Sequence, residues 1–336
     1  MKKDLIKFAA AAVIYIAFAV YLYQPYFENF KSLQLRDIFV VNVSVACLGA
    51  FLLSRRWVPE FSGSFFAGAV YGFGPFVLGL AKFHPSASLL AAAIPWLFCP
   101  AAFGPKGRWK WIRLPLLILP FLAIILFFEI SAYYRLFAVP IPPFHLSDLM
   151  GLLAPFVMVN KSITLVGFYH VPIVALLIGF AMLLAARRFG IMFIFAVGTI
   201  LAFCNSIFNV SPMMWLTIPV LCSSIIIGAG FQALASAGSA DRKWVLAGAI
   251  VMLALAVVVL LLATKCQFAF AGLGMKYAEL LLYTAQMYLL GAVAAGVLFF
   301  MATLNLRLHW LRWIILSAAA AVDIFLGARF IVDNVF

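Results

Sequence analysis

The sequence predicts an all-α fold, a polytopic bundle of about eleven transmembrane helices that forms one domain over residues 1–336. Hydrophobic residues make up 67% of the chain and charged residues 10%, whereas soluble domains average roughly 45–50% and about 25%. Apolar runs of about 20 residues, the length that crosses a bilayer, recur along the chain. The basic residues are concentrated between these runs, so the net charge of +13 indicates membrane topology and no nucleic acid partner.

Each predicted span is a mainly apolar segment bounded by charged residues, prolines or glycines. The first follows a basic N-terminus like that of a secretory signal. No small-residue cleavage site comes after it, and we therefore expect it to stay as a membrane helix. In chain order the predicted spans lie near residues 5–23, 37–53, 61–80, 86–103, 114–133, 171–186, 191–208, 213–234, 244–264, 277–304 and 313–332.

The third predicted span carries small residues on one stripe. Ser64, Gly68 and Gly72 follow at intervals of four, and Gly74 and Pro75 come next. Small side chains let helices approach closely in a membrane, and a proline kinks or ends a helix. We predict a tightly packed interior helix that is interrupted near Gly74, with a hinge for conformational change as the alternative.

The placement of lysine and arginine predicts the orientation of the bundle. Fifteen of the 23 basic residues fall at the N-terminus or in the alternate loops that share its side. Basic residues accumulate on the cytoplasmic side, so we expect a cytoplasmic N-terminus, an outer C-terminus and a place in the bacterial cytoplasmic membrane. The fifteen are Lys2, Lys3, Lys7, Arg55, Arg56, Lys106, Arg108, Lys110, Arg113, Arg187, Arg188, Arg242, Lys243, Arg307 and Arg312.

One predicted outer loop, residues 134–170, is far longer than a turn. Within it a short apolar stretch, residues 149–159, follows Ser147 and Asp148, either of which is a good helix N-cap. Such a stretch is too short to span a bilayer and predicts a re-entrant helix or one lying at the outer surface. The same loop holds Arg135, His145 and His170, which with Asp148 are candidates for acid–base chemistry at the outer face.

Three acids lie inside predicted spans, where a charge costs about 2.5–3.5 kcal/mol at the helix centre. Asp323 is the deepest, about 16 Å along its helix from Arg312. Glu129 lies near the outer end of the fifth span. Glu279 begins a stripe in the tenth span that continues through Tyr283 and Gln286. We predict that these residues line a cavity in the outer half of the bilayer that binds a proton, a cation or a polar substrate group.

The alternative interpretation of the three acids is local pairing. Arg329, Arg135, Lys276 or a tyrosine hydroxyl could satisfy each carboxylate without any ligand. Asn205 and Asn209 have the same two interpretations. Four residues apart at the end of the seventh span, they would share a helical face and either coordinate a ligand or cap and hydrogen-bond neighbouring helices.

No histidine spacing of the HxxxH or HExxH kind occurs, so we predict no metal site, and the absence of any nucleotide-binding loop predicts no cofactor. Three functions stay open. The first, which we favour and which is not enzymatic, is a secondary-transporter-like permease for a small polar substrate. The second is a membrane-embedded transferase acting on lipid-linked sugars or lipids at the outer face. The third is a non-catalytic subunit that binds other membrane subunits. Membrane lipid is a partner in all three.

Overall fold

The computed structural model describes residues 2–27, 33–104, 113–134, 146–161, 165–185, 189–204, 207–238, 241–269, 275–304 and 308–335. Within these ranges the regular elements are all helical. The α-helices are α1 Lys2–Tyr23, α2 Leu33–Ser54, α3 Phe61–Gly72, α4 Pro75–Phe83, α5 Pro85–Phe103, α6 Arg113–Tyr134, α7 Pro155–Lys161, α8 His170–Ala185, α9 Phe189–Phe203, α10 Pro212–Ser236, α11 Arg242–Ala269, α12 Met275–Thr303 and α13 His309–Val335. Short 3-10 helices lie at Gln24–Tyr26, Leu146–Leu152 and Ile207–Asn209.

Eight segments of the described chain are helical, long and apolar enough to cross a membrane. They are Asp4–Tyr26, Phe61–Leu80, Pro85–Phe103, Pro115–Tyr134, Pro212–Ser236, Arg242–Thr264, Tyr277–Thr303 and His309–Val335. Three shorter apolar helices, Ile38–Ser54, His170–Leu184 and Gly190–Phe203, occupy the other predicted spans. The architecture is therefore that of a multi-pass helical membrane protein, while the count of eleven and the orientation stay predictions.

The centre of the bundle is formed by the α3–α4 segment and α10, whose residues are almost all buried. Backbones meet closely there because glycines face each other. A Cβ atom added to Gly63 would lie 2.8 Å from the carbonyl oxygen of Gly228, and one added to Gly228 would lie 2.6 Å from that of Gly63. On another side of α3, a Cβ at Gly68 would lie 2.6 Å from the carbonyl oxygen of Cys47 in α2. The small-residue stripe therefore packs between helices, as predicted.

The third span is broken between α3 and α4. Pro75 has no N–H for the carbonyl of Tyr71, and a proline disfavours helical backbone in the residue before it. Gly74 accordingly adopts an extended conformation, with φ −68° and ψ 156°. The interruption that the sequence predicts near Gly74 is present.

The seventh predicted span, residues 191–208, extends too far, because α9 ends at Phe203. Phe208 and Asn209 follow with positive φ angles of 58° and 55°, a left-handed conformation that asparagine tolerates better than most residues. The chain turns here before α10, which begins at Pro212. Asn209 therefore lies in a turn and not on the helical face that was predicted, and Asn205 lies outside the described residues.

The long predicted outer loop does not form one helix. Its described part contains the 3-10 helix Leu146–Leu152 and then α7, which Pro155 begins. Phe156 and Val159 of α7 are fully buried, and α7 packs on α12 and α13. This segment is consequently part of the packed bundle and places the start of α8 beside the middle of α13.

Candidate functional site

The deepest predicted charge, Asp323, is paired with a histidine. The Oδ1 atom of Asp323 lies 3.0 Å from Nδ1 of His170. Its other oxygen, Oδ2, accepts a hydrogen bond of 2.6 Å from the backbone N–H of Val171. Both side chains are fully buried, with 0% exposure. The two residues are 153 positions apart in the chain, and we call them the His170–Asp323 pair.

The position of the pair follows from the two helices that carry it. Asp323 lies in the middle of α13, whereas His170 is the first residue of α8. The first N–H groups of a helix have no partner within it and attract negative charge. The Asp323 carboxylate therefore satisfies one of these free N–H groups, that of Val171, and at the same time holds the imidazole ring.

Aromatic rings enclose the imidazole. The ring of Tyr288 lies 4.7 Å from it, centroid to centroid, in an edge arrangement, and that of Phe156 lies at 5.1 Å. The Tyr288 hydroxyl donates a 2.9 Å hydrogen bond to the carbonyl of Leu153 in the segment before α7. Tyr283 also contacts Phe156, at 5.3 Å between ring centroids. The pair is thus closed off by side chains of α7 and α12.

A second polar contact joins the pair to the break between α3 and α4. Tyr169, the residue before His170, donates a 2.6 Å hydrogen bond from its hydroxyl to the carbonyl oxygen of Phe73. Phe73 is the residue that directly follows α3. The ring of Tyr169 packs on Gly327, one turn beyond Asp323, where a Cβ atom would collide with it. The start of α8 is therefore tied both to α13 and to the broken helix.

The hydrogen bonds of Asp323 offset the cost of burying its carboxylate, but one nitrogen of the His170 imidazole has no partner among the described residues. Hydrogen bonds to a charged group contribute about 1.5–3 kcal/mol each, so the two bonds of Asp323 offset the cost of about 2.5–3.5 kcal/mol for a charge at this depth. The Nε2 atom of His170, however, is buried and has no hydrogen-bond partner among the described residues. Such an unmet polar atom costs about 1–3 kcal/mol. Local pairing therefore explains how the Asp323 carboxylate is tolerated inside the bundle, but it does not explain why Nε2 of His170 is buried without a partner.

The structure brings three of the predicted site residues together, Asp323, His170 and Tyr283. Asp148 is also buried. The remaining described candidates, Glu129, Glu279, Gln286 and Asn209, are exposed on α6, on α12 and in the turn after α9. Arg135, His145 and Asn205 lie outside the described residues. Arg329, a predicted partner for Asp323, instead forms a 2.9 Å ion pair with Asp333.

In the described structure the Asp323 carboxylate does not face an open cavity, because it is fully buried and both its oxygens are engaged. A cavity in the outer half of the bilayer stays a prediction. The sequence indicates the two members of the pair separately, His170 as a loop residue and Asp323 as a deep charge. Their pairing has no local signal, since it depends on how the segment before α8 folds. Among the described residues no group of three or more histidine, cysteine, aspartate or glutamate side chains is placed to hold a metal ion.

His84, between α4 and α5, has a different role. Its ring caps α5, because Nδ1 accepts a hydrogen bond of 3.3 Å from the backbone N–H of Ser86. Partial burial lowers the pKa of His84 below its ordinary value. A lowered pKa favours the neutral imidazole, which is the form that can accept this bond. His84 is therefore a structural residue and lies outside the candidate site.

Comparison of the chain with protein families, with characterised proteins and with solved structures finds no match. The features that indicate a function are therefore the His170–Asp323 pair, the aromatic rings around it and its link to the broken helix.

Proposed function

We propose that this protein is a secondary-transporter-like permease in which the His170–Asp323 pair binds and releases the coupling proton. The observation that carries the proposal is the buried pair itself, which includes an imidazole nitrogen, Nε2, with no partner among the described residues. An ionisable residue inside a membrane segment is a functional-site candidate by default, because its burial is costly. Histidine is also the side chain whose ordinary titration lies closest to neutral pH.

The surroundings of the pair support a proton site that responds to helix movement. Transporters commonly place ion and substrate sites at interrupted helices, where free backbone groups are available. Here the break between α3 and α4 is joined through Tyr169 to the residue that follows it, His170. A shift of α4 or α8 would thus alter the position of the imidazole relative to Asp323. In this structure the site is closed, and we infer that another conformation opens it to water.

The exchange of a proton needs no further group. With Asp323 ionised, His170 donates its Nδ1 hydrogen to the carboxylate and its Nε2 atom carries the free electron pair. A proton that arrives from water on Nε2 gives an imidazolium beside a carboxylate, a pair with no net charge. Loss of that proton restores the starting state. The substrate class of the permease is a small polar solute.

Proteoliposomes that contain a pH-sensitive dye test this proposal. Candidate solutes, such as amino acids, sugars, nucleosides and carboxylates, are added outside without an imposed gradient, and a solute that is carried inward together with a proton acidifies the lumen. Asp323→Asn should abolish this acidification while the protein still inserts and purifies normally. The variant should still exchange labelled solute across the membrane, because exchange needs no net proton movement. Retention of full solute-driven acidification by Asp323→Asn would show that the pair is not the coupling site.

Glu279→Gln is the matched control, since Glu279 is another acid of a spanning helix but is exposed. It should acidify the lumen as the wild type does. His170→Gln separates proton coupling from packing, because glutamine fills similar space and cannot carry a proton at neutral pH. We expect it to behave as Asp323→Asn.

The transferase hypothesis is the second candidate, and the same nitrogen favours it. A histidine held by a carboxylate at Nδ1 with a free Nε2 is the arrangement of a general base that is oriented by an acid. In that case Nε2 would remove a proton from a substrate hydroxyl that reaches the buried pair when the site opens. Turnover of lipid-linked sugar or lipid by the purified protein, lost in His170→Gln and kept in Glu279→Gln, would favour this function.

The third hypothesis is a non-catalytic subunit of a larger membrane complex. Purification of a stable, monodisperse protein without partners would count against it.

A further inference from the structure

A cavity of about 570 Å³ lies away from the His170–Asp323 pair, among α2, α5, α6, α9 and α10. Its volume is within the range of about 300–1,000 Å³ typical of ligand sites. Arg56, Trp57 and Arg113 line it where α2 has ended and α6 begins. We call this end of the bundle, defined by Arg56 and Arg113, the basic end.

The rest of the cavity wall is apolar and extends deep into the bundle. Its apolar lining includes Phe98, Leu117, Ile194, Leu221 and Ile225. Ile225 lies eleven residues before the end of α10 at Ser236, which corresponds to about 16 Å along the helix. The cavity therefore leads from two cationic groups at a helix end to apolar side chains near the middle of the bundle.

The cationic groups are not fully engaged within the described structure. Arg113 donates from Nη2 to the carbonyl of Gly104 at the end of α5, but its Nε–H is buried without a hydrogen-bond partner among the described residues. None of the described residues that line the cavity is acidic. An anion on Arg56 and Arg113 would supply the missing acceptor and balance the positive charge.

We propose that this cavity binds one anionic glycerophospholipid, with its phosphate on Arg56 and Arg113 and an acyl chain along the apolar wall. The charge at the opening selects a phosphodiester, and the wall beyond it suits a hydrocarbon chain. Trp57 at the same opening has the amphipathic ring that is favoured at the membrane–water boundary. A free inorganic phosphate would satisfy the arginines and leave the apolar part of the cavity unused.

Native mass spectrometry of the protein released from nanodiscs of equal parts phosphatidylcholine and phosphatidylglycerol tests this site. The wild type should retain one phosphatidylglycerol. Each arginine near a membrane surface contributes about fivefold to the binding of an anionic lipid, so Arg56→Gln with Arg113→Gln should lower retention about 25-fold. Ala102→Phe, which fills the apolar wall and leaves both arginines in place, should also release the lipid.

Arg55→Gln is the matched control. Arg55 is next to Arg56 in the chain, but its guanidinium lies 3.5 Å from Asp4 and donates to the carbonyl of Pro59. Retention should not change in this variant, and an equal loss would mean that general surface charge holds the lipid. Equal retention of phosphatidylcholine would also overturn the proposal. Displacement of the lipid by excess inorganic phosphate would identify a free-anion site instead.

Discussion

The interior around Asp323 and the cavity at the basic end differ in how fully side chains fill the volume and in how the polar atoms are paired. Around Asp323 the side chains fill the volume, both carboxylate oxygens have donors, and aromatic rings exclude water. At the basic end the helices leave about 570 Å³ open, with arginines at its opening. The first arrangement suits the proton exchange that we propose, and the second has room for the lipid that we propose.

This difference arises from the residues that the helices present to one another. Gly327 allows the ring of Tyr169 to lie against α13, which brings His170 within hydrogen-bond distance of Asp323. At the basic end, small residues of α5 and α9, namely Ala101, Ala102 and Gly190, are among the described residues that line the cavity. Small residues therefore permit close packing where a neighbouring side chain lies against them, and they leave space where none does.

The largest effect that distinguishes the two regions is expected from Asp323→Leu. Leucine leaves the Nδ1–H of His170 and the N–H of Val171 buried without acceptors. Removing one partner of a buried pair costs about 3–5 kcal/mol, and we expect that decrease in the free energy of unfolding, measured with denaturant in detergent micelles.

Asp333→Leu is the control for this change. Asp333 lies on the same helix and also accepts two hydrogen bonds, from Tyr26 and Arg329, but it is exposed. Exposed pairs contribute about 0–1 kcal/mol. Equal losses in the two variants would show that burial of the pair is not what makes Asp323 important.

Adding volume to each region gives the next largest contrast. Gly327→Ala places a Cβ atom against the ring of Tyr169, where it would lie 3.1 Å from Cζ and closer still to the neighbouring ring carbons. Overpacking of this kind costs about 1–3 kcal/mol. Ala102→Leu adds more volume, but at the wall of the cavity, and we expect its free energy of unfolding to stay within about 1 kcal/mol of the wild type. Thermal unfolding of both variants in the same detergent measures the difference, and a greater loss in Ala102→Leu would contradict the contrast.

Local sequence patterns predict most of the helices because membrane helices are determined by local composition. A run of about 20 apolar residues has to form its backbone hydrogen bonds internally in lipid, and each predicted span overlaps a helix. Pro75 acts through its own ring and the residue before it, so the break near Gly74 could also be predicted. The end of α9 is predicted too late, because Ile207 and Phe208 prolong the apolar pattern past Phe203, whereas the 3-10 helix Ile207–Asn209 packs on α6.

The candidate site could be predicted only in part. The depth of Asp323 in its span follows from counting residues, but its partner is far away in the chain and lies at the start of a helix. Glu129 and Glu279 have similar local patterns and are exposed, since nothing in a single span indicates which face meets another helix. The cavity at the basic end has no local pattern either, because it is bounded by five helices.

The smallest expected effect on stability concerns two tyrosines whose hydroxyls donate hydrogen bonds to backbone carbonyls near prolines. The Tyr169 hydroxyl donates to Phe73 at the break before Pro75, and the Tyr71 hydroxyl donates a 2.7 Å hydrogen bond to Ala91. Ala91 is four residues before Pro95, which has no N–H to offer its carbonyl. Tyr169→Phe and Tyr71→Phe should therefore each lower the free energy of unfolding by about 1–2 kcal/mol, the cost of a buried carbonyl without its donor.

The two variants should differ in transport activity, although we expect similar losses in their free energies of unfolding. The hydroxyl of Tyr169, the residue next to His170, bonds to the break in the third span, whereas the hydroxyl of Tyr71 bonds to α5. We expect Tyr169→Phe to reduce solute-driven acidification of proteoliposomes and Tyr71→Phe to leave it at the wild-type level. Equal activity in both would mean that the broken helix and the pair move independently. In that case the hydrogen bond from Tyr169 stabilises the fold and takes no part in coupling.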